Sequence, residues 1–166
     1  DSSLYKGGLW NQHNLDYRRA LENSYYWRFT ESINEPDPKG ILLELPIYTQ
    51  MVPTWRMLTA KRVNLQRKGV STADTGKKLF SRLTDYLRFR YPLKFDLGQM
   101  TGQELTNTVD NICREDARDP SSFKPVVVIG HTKELTDFQG IEYLLSYLER
   151  KGIALSTFEE TYGRCN

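Results

Sequence analysis

The sequence predicts an α/β fold assembled from parallel βαβ units, on three observations. Val126, Val127, Val128 and Ile129 form a continuous apolar, β-branched run, the mark of a strand covered on both faces as in parallel sheets flanked by helices. Ile41, Leu43, Leu45 and Ile47 alternate along a second short strand, opened by Gly40 and stopped early by Pro46. Between and after them the order of elements is strand, helices, strand, helix, strand, helix, strand, which implies right-handed crossovers.

Residues 1–40, rich in Gly, Asn, Pro and aromatics, show no sustained period and are expected to form a long, ordered loop region, with one short helix near Leu15 to Leu21. Residues 41–166 supply the βα units of a single partial domain. After the Ile41 strand, a helix is expected from Trp55 to about Arg67, ended by Gly69. A second helix starts near Ser71 and Asp74, carries Leu79, Phe80, Leu83, Tyr86 and Leu87 on one face, and stops at Pro92. Leu93 to Leu97 reads as a short strand. Thr101-Gly102-Gln103-Glu104 is a capping box opening a helix with Leu105, Val109, Ile112 and Cys113 on its apolar stripe. Beyond the Val126 strand, Asp137 caps a helix with Phe138, Ile141, Leu144, Leu145 and Leu148 inward and Gly152 as its stop. Ile153 to Thr157 is the last expected strand. A parallel set of only about four strands leaves an open edge, a liability, so further strands are expected upstream. Asp1 stands without a Met or an apolar leader before it, which reads as a leader removed or a chain cut from something longer.

Composition narrows the function classes. The 23 Lys and Arg oppose 21 Asp and Glu for a net charge of +2, and the basic residues are spread through helical segments. That is no footprint for a nucleic acid. The longest apolar stretches are far short of a membrane span. Ten Tyr and three Trp supply flat amphipathic side chains, suited to sugar faces and equally to ordinary cores. Cys113 and Cys165 make neither a disulfide framework nor a metal cluster; the plain reading is one buried thiol and one terminal thiol.

In α/β folds ligands bind at the carboxyl ends of parallel strands, and Gly130-His131-Thr132 directly follows the Val126 run. An imidazole there is suited to general acid–base work; the alternative is a hydrogen-bonded rim residue with no chemistry. The same test selects Pro46, Ile47, Tyr48 and Thr49 after the first strand, and Asp96 or Gln99 after the second, as pocket liners, with Asp96 equally suited to stabilising its loop. His13 reads as an exposed polar loop residue. The two histidines have no paired spacing, so no self-contained zinc site is expected and no metal ligands are assigned in this chain. There is no Gly-x-Ser-x-Gly elbow and no phosphate-cradling loop.

Several stretches resemble, in order, landmarks of the polysaccharide deacetylase family, the NodB-homology domain of carbohydrate esterase type. They are Asp1-Ser2-Ser3 with Leu4-Tyr5-Lys6-Gly7-Gly8, then Gly40 to Ile47, then Phe95-Asp96, and Val128-Ile129-Gly130-His131-Thr132-Lys133-Glu134-Leu135. The resemblance implies the later part of a distorted (β/α) barrel whose N-terminal strands are missing. It implies hydrolysis of N-acetyl or O-acetyl groups on a carbohydrate, with a divalent metal, zinc by preference, held by an Asp and two His and a second Asp as base. Those residues belong to the earlier half of the family's domain, and the paired-Asp, His-x-x-x-His and Arg-x-Pro motifs are absent here. Only His131 carries over, as the general acid that protonates the leaving amine. Trp10 and Tyr48 are the residues expected to touch substrate. The missing N-terminal half is the implied partner, and export to the periplasm, cell surface or exterior of a bacterium is the implied location. A different reading makes the chain a non-catalytic carbohydrate-binding or scaffolding domain in which Trp10, Tyr25, Tyr26 and Trp27 stack on sugar rings, and a third makes it a small-molecule-binding α/β domain.

Overall fold

The computed structural model describes residues 8–10, 15–17, 25–53, 90–131 and 138–165. The helices expected at 55–67 and from Ser71 to Leu87, and the cap at Asp137, lie outside the described residues. So do His13 and the segment after His131 up to Asp137.

Among the described residues, six short strands pair as three antiparallel couples. β1 (Gly8–Trp10) pairs with β2 (Leu15–Tyr17), β3 (Trp27–Phe29) with β4 (Leu42–Glu44), and β5 (Thr49–Pro53) with β6 (Arg90–Lys94). The 1–40 stretch expected to be loop therefore carries three strands, and the helix expected from Leu15 begins instead as β2. A helix of one or two turns is marginal by itself in water, while pairing Leu15 with Trp10 and Tyr17 with Gly8 satisfies their backbone groups across the two strands; residues 18–21 lie outside the described residues.

Pro92, expected as a helix stop, lies inside β6 opposite Met51. A residue without an N–H is tolerated there because, among the described residues, β6 is a member of a two-stranded sheet and so has an edge. On one face of this pair stand Tyr48, Val52, Leu93 and Phe95, and α1 (Gly102–Arg118) packs Leu105, Val109 and Ile112 against them. Spacings of four and three residues put those three side chains on one stripe. Leu144 of α2 (Phe138–Arg150) and Met100 complete the cluster. The expected inward stripe of α2 is narrower than its sequence suggests: Leu144 is buried, Ile141 and Leu148 are half-buried, and Phe138 and Leu145 are exposed.

Helix boundaries follow their signals. Thr101 accepts a hydrogen bond from the Glu104 N–H, and the Thr101 N–H donates to Glu104 Oε2 at 2.8 Å, closing the capping box at both of its bonds. Replacing Thr101 by Ala is expected to lower stability by about 1 kcal/mol, read as a shift in urea midpoint at unchanged slope. At the end of α2, Gly152 adopts φ 69°, with its N–H on Glu149 O at 2.9 Å and the Ile153 N–H on Leu148 O at 3.0 Å, a Schellman closure.

That closure explains why residues 153–157, expected as a strand, are irregular. The Ile153 amide is committed to α2, Ala154 to Thr157 are exposed, and Thr157 is the N-cap of α3 (Phe158–Arg164). Asp110 ties α1 to α2, accepting from Tyr147 Oη at 2.7 Å and from Lys151 Nζ at 2.8 Å. At this exposed location the tie sets helix orientation more than stability. Among the described residues no helix is long and apolar enough to cross a membrane.

Candidate functional site

Among the described residues, parallel pairing enters the fold at one place. Residues 127–129 bridge first to Ile47 and then to Asp96, both in the parallel sense. The Tyr48 N–H donates to Val127 O at 3.1 Å, the Ile129 N–H to Phe95 O at 3.1 Å, and the Leu97 N–H to Ile129 O at 2.8 Å. The Phe95 N–H donates to Tyr48 O at 2.8 Å. Three chain segments thus converge; of the residues selected by the strand-end test, Ile47 and Asp96 are themselves bridge residues, Tyr48 and Thr49 lead into β5, and His131 lies two residues past the Ile129 bridge. The Val126 run makes only these two isolated bridges, and Val128 is exposed. It is not covered on both faces, because its pairing passes from one neighbour to the next within three residues.

His131 is exposed, two residues beyond the bridge to Asp96. Asp96 is 5% exposed; its Oδ1 accepts from the Gly98 N–H at 2.9 Å and its own N–H donates to Met100 Sδ at 3.4 Å. The loop-stabilising reading of Asp96 therefore holds on one oxygen at least. Neighbouring Lys94 has its ammonium pKa lowered by burial, against the pull of the Asp96 charge. Gln99 is exposed.

Tyr48 is 4% exposed. Its ring stacks on Tyr25 with centroids 5.8 Å apart, and its hydroxyl donates to Glu115 Oε1 at 3.1 Å. The Tyr25 hydroxyl donates to Glu115 Oε2. Gln50 Nε2 donates to Tyr48 Oη at 3.2 Å, Asn111 Nδ2 donates to Gln50 Oε1 at 3.0 Å, and Arg114 Nη2 donates to Asn111 Oδ1. This chain of planar polar groups between α1 and β5 was not singled out by sequence reasoning. Its signal is Asn111 and Glu115 four residues apart, flanking the stripe of Leu105, Val109 and Ile112. Trp10 lies in β1, in the hairpin with β2. Of the other aromatics expected to stack on sugars, Trp27 is buried with its indole N–H on Ile33 O at 2.8 Å, and Tyr26 tilts against Phe123.

Burial is the largest cause that raises the phenol pKa of both Tyr25 and Tyr48, and the Glu115 carboxylate adds to it in each. The neutral phenol is the native form, so its contribution to stability is full below the unfolded pKa of about 10 and is lost as pH rises beyond it. Alkaline titration followed by tyrosinate absorbance should therefore show these two hydroxyls ionising only with unfolding. Tyr48→Phe should make the loss of stability above about pH 10 shallower.

No protein-family model, curated protein or solved structure matches this chain. Among the described residues no three His, Cys, Asp or Glu side chains gather where they could hold a metal ion. The described donors therefore do not fit the ligand set of an Asp and two His that the family resemblance implies.

Proposed function

We propose that this chain is the later part of a metal-dependent polysaccharide deacetylase acting on exported or envelope glycans, with the metal-binding half supplied from outside these 166 residues. The placement of His131 carries the reading. It is exposed, it follows a segment held in parallel pairing, and it lies beside the convergence of three chain segments, where α/β enzymes gather their chemistry. Asp96 and Ile129 are bridge partners, and His131 follows Ile129 by two residues.

In this reading water adds to the acetyl carbon, the carbon–nitrogen bond breaks, and the proton held by His131 passes to the leaving nitrogen, giving acetate and a free amine; the protons lost by the water are released to solvent, from which His131 is reprotonated. The departing amine is thereby spared the cost of leaving as an anion. A divalent ion would supply carbonyl polarisation and water activation. The described residues do not fit it.

Acetate release from an N-acetylated chito-oligosaccharide tests the proposal. With zinc added, the 166-residue chain should release none, and the chain extended upstream by its own coding sequence should release acetate. An upstream sequence without paired Asp and His-x-x-x-His motifs, or an inactive extended chain, overturns it. So does tight zinc binding with turnover by the 166 residues alone.

A further inference from the structure

We propose that Glu115 is a positioning residue: from α1 it fixes Tyr48, and through the Tyr48 backbone it sets the segment that presents His131. The functional meaning rests on the reading of His131 as the general acid; the mechanical claim does not.

Tyr48 is the junction. Its side chain is held at both ends, by Tyr25 against the ring face and by Glu115 at the hydroxyl. Its backbone is held on both sides, the N–H on Val127 O and the carbonyl under the Phe95 N–H. From Val127 and Phe95 the connections close on Ile129, whose N–H donates to Phe95 and whose carbonyl accepts from Leu97. His131 is two residues further. Displacing Tyr48 thus shifts both neighbours of residues 127–129 together.

Glu115 fits the role by its hydrogen-bond capacity. An ionised carboxylate only accepts, and its two oxygens take one phenol each. Charge-assisted hydrogen bonds are the stronger kind, and leaving a buried donor without an acceptor is costly. The link from Asn111 to Gln50 to Tyr48 closes a second path between the same helix and the same tyrosine. Two connections from one helix to one residue restrain its rotation as well as its distance.

The test reads amide hydrogen exchange in the 166-residue chain, where no turnover is needed. In Glu115→Ala the Tyr48 and Ile129 amides should exchange about tenfold faster relative to the α2 amides than in the parent. Glu115→Gln, which keeps one acceptor oxygen, should recover most of the protection. Thr101→Ala, destabilising the same helix without touching the network, should leave the ratio unchanged. If Glu115→Ala does not fold, Tyr48→Phe removes the same hydroxyl and keeps the ring, and the same local loss is expected. Exchange at Ile129 that merely follows global stability in all variants overturns the proposal. In the extended chain, Glu115→Ala should lower kcat about tenfold at unchanged KM, with Glu115→Gln recovering it. A local exchange change with no kcat change would refute His131 as the acid and leave the positioning claim standing.

Discussion

His131→Asn in the upstream-extended domain is expected to lower kcat on an N-acetylated oligosaccharide by about 10²- to 10⁴-fold, the range for loss of a general acid, with KM little changed. Asparagine keeps the size and polarity of the side chain and loses the transferable proton. The diagnostic is the leaving group. An aryl acetate expels a stable phenolate that needs no protonation, so the same variant should hydrolyse it at nearly the parent rate. An equal loss on both substrates would mean that His131 holds structure or substrate rather than a proton. The site tolerates the substitution, because His131 is exposed and contributes nothing to the buried cluster.

Gly40→Ala is expected to be strongly damaging, costing about 3 kcal/mol or more. Gly40 is buried, and a Cβ built there would fall on the backbone N, C and O of Phe29, closer than non-bonded atoms can approach. A side chain could turn aside, but this backbone is fixed by the β3 and β4 register, with Phe29 opposite Leu42 and Trp27 opposite Glu44. The Gly40 N–H also donates to Asp37 O at 2.8 Å. Gly163→Ala is the matched control. Nothing lies within 4 Å of its Cβ position, and in a helix the exchange should add up to about 1 kcal/mol. Urea midpoints moving in opposite directions for the two variants would verify the argument, and a neutral Gly40→Ala would refute it.

These contrasts indicate what the sequence makes legible. The α1 start was readable because Thr101 and Glu104 complete a local motif whose bonds close within four residues. The α2 stop was readable because a residue with φ 69° has little choice but glycine. The β5 and β6 pairing was not, since Thr49 to Pro53 carries no alternation and its partner strand contains a proline. Only the contact between distant segments decides such pairing. The alternation of Ile41, Leu43, Leu45 and Ile47 marked the wrong face at its start. Ile41 is exposed, while Glu44 is buried, with burial holding its carboxyl pKa above the usual range.

For the site, the apolar run before His131 pointed to a doubly covered strand, and the structure instead gives it two isolated parallel bridges with Val128 exposed. The network around Tyr48 was not readable, because Tyr25, Tyr48 and Glu115 meet only in three dimensions.

Of the two cysteines, the terminal one is the buried thiol. Cys165, one residue from the end, is 1% exposed, with its N–H on Thr161 O and Tyr162 O; Cys113 is only half-buried on α1. Burial also raises the pKa of the Cys165 thiol, so a reagent that needs thiolate has to wait for the last turn of α3 to lift. That turn is held by Arg28 over the Tyr162 ring and Arg164 over the Phe123 ring. Cys165 is in effect a clock built into the chain: the rate at which it takes up label counts the detachments of α3, with Cys113 as the second hand running on a different helix.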